Sequence, residues 1–170
     1  MQTQDTLLAT YDNMLGSLDA WLAKAAEQGG DALLAEKLAD DMFPLSRQIR
    51  FCCNLPGEAM AGAAGVAFSS SDVDDETLAA ARSRIAATRT MIEGWRATPF
   101  GKDDAPVELS LANGMTFDLQ TESYVRDWAL PQFYFHLMTA YAILRAQGAD
   151  LGKADYVTHM FAYLRPPTAA

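Results

Sequence analysis

The residue with the most chemical potential is His136, which stands alone among Phe133, Tyr134, Phe135, Leu137 and Met138. Gln132 lies one helical turn before it and Thr139 three residues after, so together they make a short polar strip on an apolar helix. An imidazole in such surroundings is most often a buried neutral ring bonded to a helix neighbour; its alternative roles are general base and metal ligand. Cys52 or Cys53 becomes a nucleophile if that base lies within hydrogen-bond reach, although free cysteines commonly act as small core residues. Arg47 and Gln48 form a third group. A guanidinium at the mouth of a helix bundle can hold a carboxylate or phosphate, and a salt bridge is its commoner role. Tyr134 and Tyr141 share a helix face, so their hydroxyls can line a pocket rim, or the rings can simply pack. Asp72 to Glu76 reads as a solvated loop and helix cap, because it lacks the spacing of a cation-binding loop.

These groups need a scaffold, and composition supplies its outline. The chain has 170 residues, 50% of them hydrophobic, which is enough for one domain with a substantial core, so residues 1–170 are read as a single domain. Its 13 Lys and Arg against 22 Asp and Glu give a net charge of −9, which repels phosphate backbones and anionic bilayers. No nucleic-acid or membrane partner is therefore expected. The first residues lack a basic, then apolar, leader pattern, and Ala59 to Phe68 is about half the length that spans a bilayer, so a cytoplasmic location is expected. Adjacent cysteines make a strained, unproductive disulfide, and Cys52 and Cys53 are read as reduced thiols.

Thirty alanines favour helix through most of the chain. Leu7, Leu8, Tyr11, Met14, Leu15, Leu18, Trp21, Leu22 and Ala25 step by three and four, which predicts a first helix over roughly residues 3–28. Asp31 is expected to cap a short turn, and Pro44 to open a second helix carrying Leu45, Ile49 and the cysteines, kinked at Pro56. Asp74 or Asp75 is expected to cap a third helix bearing Leu78, Ala81, Ile85, Thr88, Ile92 and Trp95. Around Asn113-Gly114 the apolar residues alternate. A three-residue loop with Gly114 in the left-handed region pairs Leu109 with Phe117 and Val107 with Leu119, which keeps one apolar face, laid against the helices. A last long helix runs from near Glu122 to Gln147, bent at Pro131, with Phe133 to Leu144 surrounded by protein on most sides. A final helix from Lys153 to Leu164, with Tyr156, Val157, Met160, Phe161 and Leu164 on one stripe, ends at Pro166-Pro167.

Two segments carry a family resemblance: Asp41-Met42-Phe43-Pro44-Leu45-Ser46-Arg47-Gln48, and Leu130-Pro131-Gln132-Phe133-Tyr134-Phe135-His136 with Thr139 to Arg145. The sequence resembles the uncharacterised DUF1993 family, which is grouped with DinB/YfiT-like metalloenzymes. The resemblance implies an all-α fold, a DinB-like four-helix bundle with a small β-hairpin before the last long helix, and a homodimer in a bacterial cytoplasm. Members of the wider superfamily hold a divalent metal through three histidines, one on the second helix and two spaced by four on a later helix. This chain departs from that pattern: its only histidines are His136 and His159, with Gln132 and Ala140 four either side of His136 and Arg47, Gln48 and Phe51 near the helix-two position. No metal and no cofactor are therefore expected. The preferred reading is a small-molecule binding or regulatory bundle, its ligand lined by His136, Gln48, Arg47, Tyr141, Gln132 and Cys52. The alternative is a DinB-like thiol-transferase or hydrolase that uses His136 with a non-standard metal site or a cysteine.

Overall fold

The computed structural model describes residues 3–165. Four long helices form a bundle: α1 (Thr3–Ala26), α2 (Leu45–Ala64), α3 (Leu78–Gly94) and α4 (Leu130–Ala146). Helices α1 and α2 lie on opposite corners, each packed against both α3 and α4. Every member of the apolar set predicted for α1 is buried, and on α3 only Trp95, just past the helix end, is partly open. At the centre Tyr11 meets Phe133 edge to face with ring centres 4.7 Å apart. Trp21, Leu45, Ile49, Met60 and Ile85 are fully buried around them. Each such side chain contributes roughly 1.5–3 kcal/mol by leaving water.

The connections hold the main departures from expectation. Between α1 and α2 the chain makes a 3-10 turn, Gly30–Ala35, whose cap is Gly29. Asp31 caps a different helix: its carboxylate accepts the Leu78 N–H at 2.7 Å, and Thr77 Oγ1 accepts from Ala80 N–H at 3.1 Å, so these two close the N-terminus of α3. Asp74 and Asp75 do not cap it, because guanidinium groups compete successfully for their carboxylates: Arg47 and Arg50 take Asp74, and Arg84 takes Asp75 through two bonds. The segment between α2 and α3 is laid along α2. Asn54 bonds both the N–H and the carbonyl of Ser71, and the Phe68 ring sits so close to Gly57 that a Cβ there would fall 2.1 Å from it. Pro44 stands just outside α2, its carbonyl accepting from the N–H groups of Arg47 and Gln48, and Pro56 lies inside α2, whose turns continue to Ala64.

Strands β1 (Pro106–Ser110) and β2 (Thr116–Gln120) pair antiparallel with Leu109 opposite Phe117 and Val107 opposite Leu119, the register predicted from the apolar alternation. Gly114 has φ +87°, as the three-residue loop requires. Only the inner end of the apolar face is covered. Val107 is buried, Leu109 and Leu119 are half-buried, and Met115 and Phe117 are exposed. A helical turn, Thr121–Ser123, and a π-helical turn, Tyr124–Ala129, lead into α4 with Pro131 as its second residue. Pro131 has no N–H to return to the preceding turn, and a widened turn at that point absorbs the missing bond.

Two expectations about the C-terminal third need correction. The apolar half of α4 is not enclosed: Phe135 is 58% exposed and Met138 39%, while Tyr134, His136 and Tyr141 are half-buried. The final segment is a one-turn helix, α5 (Lys153–Tyr156), then a 3-10 stretch, Thr158–Tyr163, with Met160, Phe161 and Leu164 exposed. Tyr156 alone carries the packing expected of that stripe, stacking on Trp21 at 6.2 Å. Pro166 and Pro167 lie outside the described residues. Among the described residues no helix is long and apolar enough to cross a membrane.

Candidate functional site

The seam between α2 and α4 brings together two of the residues singled out by sequence. His136 projects from α4 toward α2, and its Nδ1 lies 2.8 Å from Oε1 of Gln48. Gln48 is only 1% exposed, and its amide nitrogen donates to the carbonyl of Phe43 at 3.1 Å. A carbonyl can only accept, so the amide orientation is fixed with Oε1 facing the imidazole. Nδ1 must then carry the proton, and Nε2 is left as an acceptor lone pair. The ring is walled by aromatic groups: Phe51 at 4.4 Å and Phe135, edge on, at 5.2 Å between ring centres. Burial pushes the His136 pKa down to about 4, so the imidazole is neutral at physiological pH.

Helical geometry explains the arrangement. Gln132 precedes His136 by one turn on the same face of α4, and with Asp127, Trp128, Pro131 and Phe135 it lines a surface depression of about 260 Å³ that His136 itself does not line. On α2, Gln48 faces inward because the turn that begins at Pro44 brings the Phe43 carbonyl within reach of its amide.

The other predicted site residues lie elsewhere or are already engaged. Arg47 is bound to Asp74 at 3.2 Å and lies over the Phe43 ring at 5.1 Å, so it is already engaged beside the site. Tyr141 packs edge on against Trp21 at 5.1 Å, which places it on the α1 side of α4, away from Gln48. Cys52 is one turn beyond Gln48 but fully buried, and desolvation raises its pKa well above the ordinary thiol value. Cys53 is pushed up to about 12 by the same cause. Both thiols are free.

Two contributors escaped the sequence reading. Phe43 supplies both the carbonyl that orients Gln48 and a ring that packs on Phe51 at 5.7 Å. Arg50, only 8% exposed, lies over the Phe51 ring at 5.3 Å and donates to the Asp72 carbonyl. Its Nε also makes a charge contact with Asp74 at 3.1 Å whose angle is too poor for a hydrogen bond. The signal available was the spacing of Arg47 and Arg50, which puts two cations on one helix face and demands an acid opposite.

The superfamily's divalent metal does not fit these residues. Zinc and its neighbours are held by thiolate, imidazole or carboxylate, and among the described residues no three His, Cys, Asp or Glu side chains converge. The one imidazole here spends its Nδ1 on Gln48, the amide of Gln48 is committed to Phe43, and Gln132 offers only a neutral amide.

Fold and site together define a DinB-like helix bundle in which an amide and an imidazole meet at the seam of two long helices. The family described as DUF1993, a domain of unknown function, matches residues 4–157, and the chain belongs to it. The crystal structure of a DinB family member protein from Shewanella denitrificans is similar over 100% of this chain and 99% of that one, with 30% sequence identity and a TM-score of 0.75. Comparison with curated proteins returns no match.

Proposed function

We propose that this protein is a small-molecule binding or regulatory bundle, working without the superfamily's three-histidine metal site, whose ligand sits over His136 at the seam of α2 and α4. The observation that carries the reading is the Gln48–His136 pair. Because Gln48 takes the Nδ1 proton, a ligand meets a fixed Nε2 acceptor between two phenylalanine rings, with Gln132 at the rim. Such a site favours an uncharged molecule with an apolar body and one N–H or O–H donor. Arg47 and Arg50 share the single Asp74 carboxylate, which offsets one of their two charges and holds both side chains in place. Burial of Cys52 and Cys53 leaves the thiol-transferase alternative without an available nucleophile.

Indole, a neutral aromatic N–H donor, is the probe of choice. Titrating it into ring-labelled protein should shift the Nε2 resonance of His136 saturably and leave His159 unmoved, and His136→Ala should abolish the binding. Absence of a saturable shift at His136, or unchanged indole binding in His136→Ala, would overturn the proposal.

A further inference from the structure

A second concave site lies on the opposite side of α4, where α1, α4 and the C-terminal segment meet. It encloses about 270 Å³ and is lined by Thr10, Asn13 and Met14 of α1, Tyr134 of α4, and Tyr156 and His159 beyond α5's start, with Val157 and Met160 at its edge. None of these residues carries a formal charge when His159 is neutral. The apolar part of the lining comes from Met14, Val157, Met160 and the tyrosine rings, and Met14 belongs to the core. Around it the side chains of Thr10, Asn13, Tyr134 and Tyr156 have no hydrogen-bond partner among the described residues. His159 adds a stronger sign, for its Nδ1 is buried and has no partner.

Buried polar atoms in folded proteins are nearly always paired, with protein or with something bound. Here the His159 Nδ1 is such a buried atom, and the half-buried side chains of Thr10, Asn13, Tyr134 and Tyr156 line the same hollow without a hydrogen-bond partner among the described residues. The C-terminal wall is held independently of them. Ser17 donates to the Tyr156 carbonyl, Trp21 Nε1 to the Asp155 carbonyl, and Lys24 pairs with Asp155, so the hollow is fixed by the backbone and its polar side chains stay free. Tyr134 keeps its proton at neutral pH as any tyrosine does, with burial raising its pKa further, and it is a donor as well as an acceptor.

We infer that this hollow is a binding site for a small uncharged molecule with an apolar ring or chain and at least two hydrogen-bonding groups, such as an amide or hydroxyl at each end. The absence of Lys, Arg, Asp and Glu from the lining argues against anions and cations alike. The site is separate from the Gln48–His136 seam and shares no residue with it.

4-Hydroxybenzamide has the required chemistry, and toluene matches its ring without the polar groups. In an NMR titration, the hydroxybenzamide should shift the Asn13 side-chain amide and the His159 ring saturably while the Gln48 amide stays in place, with toluene about tenfold weaker or more. Asn13→Leu should weaken the hydroxybenzamide by about tenfold. Should Asn13→Leu fail to fold, Tyr134→Phe serves instead, with a several-fold loss expected. The inference is overturned if no saturable shift is reached at the probe's solubility limit, if toluene binds equally well, or if the shifts fall on Gln48 and His136 instead.

Discussion

His136 makes the stability of this protein depend on pH in a window that its carboxylates alone do not explain. In the unfolded chain the imidazole titrates near the ordinary value of about 6.5. In the folded chain burial holds it down to about 4. Between those values the unfolded state binds the proton and the folded state does not, so stability rises with pH. The contribution is complete above about pH 6.5 and is lost progressively as the pH falls toward about 4. At full strength the gap between the two values corresponds to about 3 kcal/mol. The ring is only half-buried and solvent screens part of the penalty, which leaves about 1–2 kcal/mol. Urea unfolding of the protein and of His136→Leu across this range isolates the effect. The variant should lose about 1–2 kcal/mol less between neutrality and about pH 4 than the unaltered chain does. Parallel profiles, or a His136 resonance that titrates near 6.5, would refute the reasoning that places the ring in a dry setting against Phe51.

Gln48→Leu leaves both the His136 Nδ1 proton and the Phe43 carbonyl unpaired, a loss of about 2 kcal/mol, so its melting temperature should fall by about 4–8 °C in calorimetry. Asp31→Ala should cost about 1 kcal/mol, read as a melting shift of about 2–4 °C, because Asp31 caps α3 from a distant loop; no shift would show that Thr77 suffices. Cys52 and Cys53 should resist iodoacetamide in the folded protein and react readily in urea, as burial raises both thiols; rapid native labelling would show the seam of α2 opening. Gln48→His combined with Gln132→His puts three imidazoles at the α2–α4 seam, and zinc bound after dialysis should rise from trace to about one per chain, measured by elemental analysis.

Which parts of this structure could be read from the sequence follows from where the physics is local. The α1 stripe from Leu7 to Ala25 is legible because a helix face is set by spacing alone, and all of its members are buried. The hairpin register was legible for the same reason, since only the three-residue loop keeps Val107 and Leu109 on one face with Leu119 and Phe117. Capping was not legible. Asp31, Asp74 and Asp75 are all competent caps by residue type, and the choice among them was made by Arg47, Arg50 and Arg84, whose positions depend on the packed bundle. Exposure of Phe135 and Met138 was hidden for a related reason: an all-apolar run says nothing about how many neighbours surround it.

The site shows the same division. Spacing on α4 tied Gln132 to His136, but whether His136 met Gln48, Cys52 or Tyr141 depended on how α1 and α2 flank α4, and only Gln48 lies within reach. That pairing gives the missing histidines a positive consequence. An imidazole serving as a metal ligand gives the lone pair of one nitrogen to the ion and commonly steadies its ring by donating from the other. His136 has the second half of that arrangement, with Gln48 as the acceptor, and Nε2 keeps its lone pair as a hydrogen-bond acceptor. What changes is the partner it can attract. A lone neutral nitrogen between phenylalanine rings holds no cation by itself, yet it is well suited to accept one hydrogen bond from an uncharged ligand, and the tautomer that makes this possible is fixed by the Phe43 carbonyl through Gln48. Nitrogen-detected NMR of the His136 ring tests the chain directly: a proton found on Nε2 in place of Nδ1 would reverse donor and acceptor and remove the basis for the whole site.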